Sequence, residues 1–109
     1  MEILYEEVQA GGIKFRLIEE GEERARTYLY ILRNDLHDQP FGFLEDVYVE
    51  EPHRDRGYGS VLVTRVIAEA KDRGCYKLIC TSRHKKTDLH EWYQRLGFTN
   101  HGLEFRINF

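Results

Sequence analysis

The tightest constraint on this chain is the turn Arg54-Asp55-Arg56-Gly57-Tyr58-Gly59-Ser60. An apolar, strand-forming run from Phe41 to Val49 leads into it, and an amphipathic stretch over residues 61–73 leads out. Ser60 is read as opening the helix. Two glycines and a small hydroxyl residue let backbone amides crowd together and face outward, with the positive end of the helix dipole behind them. Amides so placed form an anion cradle, and Arg54 and Arg56 add charge suited to a diphosphate. A lone Gly-x-Gly would be only a tight turn. The strand before it, the helix after it and the two arginines favour anion binding.

The rest of the chain supplies a frame for that turn. Residues 1–8 read as a first strand or a loose arm, ended by Gly11-Gly12. Ile13-Lys14-Phe15-Arg16-Leu17-Ile18 alternates apolar and polar residues, as a half-buried strand does. Glu19-Glu20-Gly21-Glu22-Glu23 reads as a solvated hairpin tip, residues 27–32 as a second strand, and Phe41 to Val49 as the third strand of an antiparallel meander. Leu62, Val63, Val66, Ile67 and Ala70 recur at helical spacing, and Gly74 stops that helix. Residues 77–81 form a short apolar strand, so strand, helix and strand make a right-handed crossover that sets two strands parallel. A second helix is expected from Asp88, with Glu91 completing a capping box. Leu89, Trp92, Tyr93 and Leu96 form its stripe, and Gly97 stops it. Residues 98–109 read as one or two closing strands. The class expected is α+β: a mixed, mostly antiparallel sheet with a central splayed parallel pair and two main helices, in one domain over residues 1–109.

Composition narrows the function. At 109 residues, with 41% hydrophobic and 32% charged residues, the chain has a globular composition. A net charge of −3 gives no general attraction to nucleic acid, so a binder built on Arg54, Arg56, Arg83, Lys85 and Lys86 is disfavoured. The acidic start lacks the layout of a secretion signal, and no apolar run approaches membrane-spanning length. Cys75 and Cys80 fit neither a disulfide framework nor a zinc site. Cys80 reads as a reduced core thiol and the chain as cytoplasmic. His37, His53, His90 and His101 are scattered, and no metal is expected.

Two blocks of sequence resemble one known family, the GNAT superfamily of acyl-CoA N-acyltransferases. Leu44-Glu45-Asp46-Val47-Tyr48-Val49 followed by Arg54-Asp55-Arg56-Gly57-Tyr58-Gly59 is similar to its pyrophosphate motif, Arg/Gln-x-x-Gly-x-Gly/Ala. His90-Glu91-Trp92-Tyr93-Gln94-Arg95-Leu96-Gly97-Phe98 is similar to its second motif, an aromatic-Tyr pair followed by Leu-Gly-Phe. The likeness covers residues 13–109, and one helix and one strand separate the blocks, as the family requires.

The resemblance implies a chemistry. Acetyl-CoA would lie where the two parallel strands part, its pantetheine against Val47, Tyr48 and Val49. Its diphosphate would sit on Arg54, Asp55, Arg56, Gly57, Tyr58, Gly59 and Ser60. A backbone amide near Val47 would polarise the acetyl carbonyl, a primary amine would attack it, and Tyr93 would protonate the departing thiolate. Tyr93 also lies on an apolar stripe, so without the motif it reads first as a core tyrosine with its hydroxyl hydrogen-bonded. Glu45 and Asp46 are the candidate bases, and alternation lets only one of them serve unless a bulge intervenes, with Glu45 preferred. Ser82-Arg83-His84-Lys85-Lys86 either contacts the nucleotide end of the cofactor, through Ser82, Arg83 or Lys85, or is an exposed basic loop. Thr87 stands where many relatives have a pantetheine-binding asparagine.

The front departs from the family. Too few residues precede Ile13 for the two helices that usually wall the acceptor site, so the sequence reads as a short form whose acceptor pocket is expected to be open or closed by a second subunit. Phe15, Leu17, Tyr28 and Tyr30 would then lack a cover, which points to a homodimer. Two functions remain: an N-acetyltransferase for a small or protein amine, and a non-catalytic acyl-CoA sensor.

Overall fold

The computed structural model describes all 109 residues, which divide into two compact units, Met1–Ile79 and Cys80–Phe109. The first unit holds a four-stranded sheet in the order β1-β2-β3-β4. Strands β1 (Gly11–Glu19), β2 (Glu22–Leu32) and β3 (Phe41–Val49) form the expected antiparallel meander. A 3-10 turn (Glu51–His53) leads to helix α1 (Tyr58–Asp72), and β4 (Leu78–Ile79) then pairs parallel with the start of β3. The mixed sheet and its two helices give the expected α+β class.

One face of the sheet makes the core. Ala25, Thr27 and Leu29 of β2 are wholly buried, and Leu44 of β3 nearly so. Leu62, Val63, Val66 and Ala70 of α1 complete the buried set at helical spacing. Burying a side chain such as Leu29 contributes about 2 kcal/mol. Ile13, Phe15 and Leu17 of β1 lie opposite Leu29, Thr27 and Ala25 and share their face. Tyr28 and Tyr30, which alternate with those buried residues, project from the other face. The expected single uncovered patch is therefore split: Phe15 and Leu17 lie on the face with the buried core, and only the tyrosines occupy the outer one.

Several boundaries differ from expectation for local reasons. Residues 1–10 form no strand, and Gly11-Gly12 begin β1 rather than ending an earlier element. The tip of the first hairpin is a two-residue turn in which Glu20 and Gly21 both have positive φ (54° and 77°), the twist a tight hairpin prefers. Helix α1 starts at Tyr58, two residues before Ser60, because Gly57 supplies the N-cap. Strand β4 is two residues long and stands at the sheet's edge, since residues 98–109, expected as strands, carry no regular structure. Cys80 lies just past β4 and is half-buried.

The second unit contains α2 (Thr87–Arg95). Lys86 rather than Asp88 is its N-cap, with no side-chain capping bond, so the expected capping box is not formed. Asp88 instead sits in the first turn, where a carboxylate complements the helix dipole. Its C-terminus explains Leu-Gly-Phe. Gly97 takes φ 108°, its amide donates to the Gln94 carbonyl and the Phe98 amide donates to the Tyr93 carbonyl, a Schellman stop. The Tyr93 and Phe98 rings close it edge to face at 5.5 Å.

Candidate functional site

The start of α1 is built to present amides. Gly57, the N-cap, has φ 86°, a conformation that penalises any side chain, while the space its Cβ would occupy is open. Asp55 is also left-handed, at φ 63°. The first intrahelical bond runs from the Val61 amide to the Gly57 carbonyl at 3.1 Å, so the first turn precedes the helical ladder. No side chain caps it and no acidic residue lies within it. Asp55, Arg56 and Gly57 are exposed. Arg54 bends back, its Nε donating to the Val49 carbonyl at 2.9 Å with its guanidinium 5.3 Å from the Tyr48 ring centre.

Strand β3, which delivers the chain to this turn, is irregular where the candidate bases lie. Thr27 of β2 faces two residues of β3, Asp46 and Val47, because Tyr28 pairs with Glu45 and Arg26 with Tyr48. Asp46 is the extra residue, at φ 51°. Thr27 Oγ1 fixes the distortion by donating to the Glu45 carbonyl at 2.9 Å. The bulge explains the burial pattern. Leu44 before it and Val47 and Val49 after it all turn inward, while Glu45, opposite Tyr28, and Tyr48 face the other way. Glu45 is half-buried and Asp46 exposed, so the bulge removes the simple alternation that would have set them on opposite faces.

Beyond Phe43 no strand pairs with β3 on its β4 side. The parallel ladder consists of Gly42 opposite Leu78 and Phe43 opposite Ile79, while β3 runs on to Val49. The pair meets at its start and then stops, as expected of a splayed pair. Gly42 makes that start possible. A Cβ there would lie 2.9 Å from Leu78 Cδ1 and 3.1 Å from Leu29 Cδ1.

The acidic hairpin tip, expected to be merely solvated, is tied to the start of α1. Tyr58 Oη donates to Glu19 Oε1 at 2.8 Å, and this bond, first among the causes, raises the Tyr58 pKa above its ordinary value. Arg24 is 7% exposed, lies 3.1 Å from Glu22 and 3.6 Å from Glu20, and sets Nη1 against both ring nitrogens of His53. Arg26 bonds Glu50 at 2.7 Å. The signal for these ties was an arginine placed beside the buried run Ala25-x-Thr27.

In the second unit, Tyr93 packs its ring on Trp92 (4.9 Å) and Phe98, and is half-buried. Ser82 Oγ is buried with no hydrogen-bond partner, whereas Arg83 and Lys85 are exposed. The Arg83 carbonyl takes the Lys86 amide at 3.0 Å and faces His90 Nε2 at 2.8 Å, which shapes the basic loop.

Comparison with known proteins decides the family. Over residues 3–98 the sequence matches the Acetyltransferase (GNAT) family. The chain belongs to it. This GNAT chain is 39% identical over 70 residues to the rice protein named "Probable glucosamine 6-phosphate N-acetyltransferase 2", a match covering 62% of the chain and 39% of that protein. It is 34% identical over 76 residues to the aminoglycoside N(6')-acetyltransferase type 1 of Stenotrophomonas maltophilia, covering 68% of the chain and 50% of that protein. The chain thus spans half or less of the length of these curated relatives. Its fold matches a crystal structure of an acetyltransferase from Trypanosoma brucei with TM-score 0.82 and 25% identity, over 91% of this chain and 70% of that one.

Proposed function

We propose that this chain is an acetyl-CoA-dependent N-acetyltransferase acting on a primary amine, with residues 1–109 working as one acetyltransferase domain. The observation that carries the reading is the uncapped first turn of α1, preceded by left-handed Asp55 and Gly57 and standing at the end of a bulged strand whose β4 side is open past Phe43. The diphosphate of acetyl-CoA takes the amides of the 57–60 turn and the charge of Arg54 and Arg56. Val47, Tyr48 and Val49 offer their backbone to the pantetheine arm, and Ser82 and Lys85 contact the cofactor's nucleotide half.

The amine nitrogen attacks the acetyl carbonyl carbon, and the oxyanion is met by a backbone amide at the bulge beside Val47. The carbon–sulfur bond then breaks and the thiolate takes a proton from Tyr93, the tyrosine of the second motif. The attacking nitrogen gives up its proton to Glu45 or Asp46, directly or through water. Positioning of the two reactants and the oxyanion contact supply most of the acceleration.

Two relatives bear the names of enzymes for amino-group-bearing sugars, so amino sugars head the panel that tests the reading. Free thiol is followed as acetyl-CoA is offered with glucosamine 6-phosphate, an aminoglycoside, polyamines and amino-terminal peptides. Thiol release with one of them supports the enzyme. Acetyl-CoA binding without release from any amine leaves the acyl-CoA sensor. A homodimer is part of the same proposal, supported by Leu103, Phe105, Ile107 and Phe109, which alternate with polar residues and are all exposed.

A further inference from the structure

We infer that the β1–β2 turn is a latch for the cradle, with Glu19, Arg24 and His53 as positioning residues for the bound anion. The inference rests on the proposed diphosphate site and concerns how that site keeps its shape. The segment from Glu50 to Tyr58 is largely exposed, and its left-handed residues make a backbone that would otherwise sample many conformations. It is fastened to the hairpin at three points. The Glu50 amide donates to the Arg24 carbonyl at 2.9 Å while Arg26 holds its carboxylate. His53 lies against Arg24. A guanidinium has donors only, so the ring must offer it a lone pair. Tyr58, whose ring meets His53 edge-on at 6.1 Å, reaches Glu19.

Tyr58 is the first residue of α1 and sits between Gly57 and Gly59, so its anchor sets the direction of the amides on either side. The anchor stands on a rigid base, since Glu19 pairs with Glu22 across a two-residue turn. Glu20 and Glu22 offset the charge of the nearly buried Arg24. The charge of Glu19 cannot explain its presence, because a carboxylate beside an anion site repels the anion. Its geometry can: it accepts a hydrogen bond from the Tyr58 hydroxyl. A turn held in its bound shape binds without the entropy of ordering it, an effect of roughly tenfold in affinity here.

Charge and geometry separate in the test. Acetyl-CoA is titrated by calorimetry into wild type, Glu19→Ala, Glu19→Gln and Tyr58→Phe, and backbone hydrogen exchange over residues 50–60 is followed without ligand. The latch predicts roughly tenfold weaker binding and faster exchange for Glu19→Ala and Tyr58→Phe. Glu19→Gln keeps an acceptor and sheds the charge, so it should bind at least as tightly as wild type. Equal binding and equal exchange in Glu19→Ala would overturn the latch, as would Glu19→Gln losing as much as Glu19→Ala. If wild type binds no acetyl-CoA, the proposed function fails and the exchange measurement alone decides the latch. If Glu19→Ala does not fold, Tyr58→Phe breaks the same bond from the other end.

Discussion

Tyr93 serves two demands with two parts of one side chain. Its ring closes the stop of α2 against Phe98, and its hydroxyl is the proposed acid for the leaving thiolate. Tyr93→Phe keeps the ring, so melting temperature and acetyl-CoA affinity should hold while kcat falls about 10²-fold with little change in KM. Steady-state kinetics with an accepted amine check this, and loss of the fold at unchanged specific activity would assign Tyr93 to packing alone. The motif made Tyr93 legible in sequence. The bulge at Asp46 left a fainter mark: Leu44, Val47 and Val49 are all apolar, and the step from 44 to 47 breaks the two-residue period. The partners of Arg24 and Tyr58 were not legible, because hydrogen bonds between Glu19 and Tyr58, 39 residues apart, follow from the fold and not from local pattern.

Among the elements, the meander, α1 and α2 were readable because their apolar periods are strong, and their ends were less so because caps are single-residue events. Asp88 looked like a cap yet is the second residue of α2, behind the N-cap Lys86. The parallel pair depends on Gly42. Gly42→Val would drive methyls into Leu78 and Leu29 and should cost about 1–3 kcal/mol, read as a lower denaturation midpoint. Ion pairs on the elements set an acid limit. Glu69, held first by Arg73 and then by Arg65 on α1, and Glu23, held first by Arg16 and also by Arg26 on the hairpin, both titrate below the ordinary carboxylate value. A lowered folded pKa gives stability that is present above the unfolded value of 4.5 and is lost as pH falls through the folded value. Melting temperature should therefore drop below pH 4.5, and less steeply in high salt, since both carboxylates are only half-buried and their arginine partners Arg16, Arg65 and Arg73 reach solvent.

For the whole molecule, the GNAT identity came from two motifs in order, while the behaviour of the ends came from neither. Residues 103–109 have the alternation of a strand and yet carry no regular structure, because a strand needs a ladder partner that sequence patterning cannot supply. If the proposed dimer uses this segment, removing residues 103–109 should convert a dimer to a monomer in light scattering. A monomer before truncation at high micromolar concentration would dismiss the dimer. The proposed activity stands on acetyl-CoA binding with its diphosphate on the first turn of α1. The measurement that meets it most directly is calorimetry of acetyl-CoA against wild type and Gly59→Val, with circular dichroism to show that both are folded. Binding to wild type, and its loss in a folded Gly59→Val, is the result predicted. Equal affinity in the two would place the cofactor elsewhere and contradict the account.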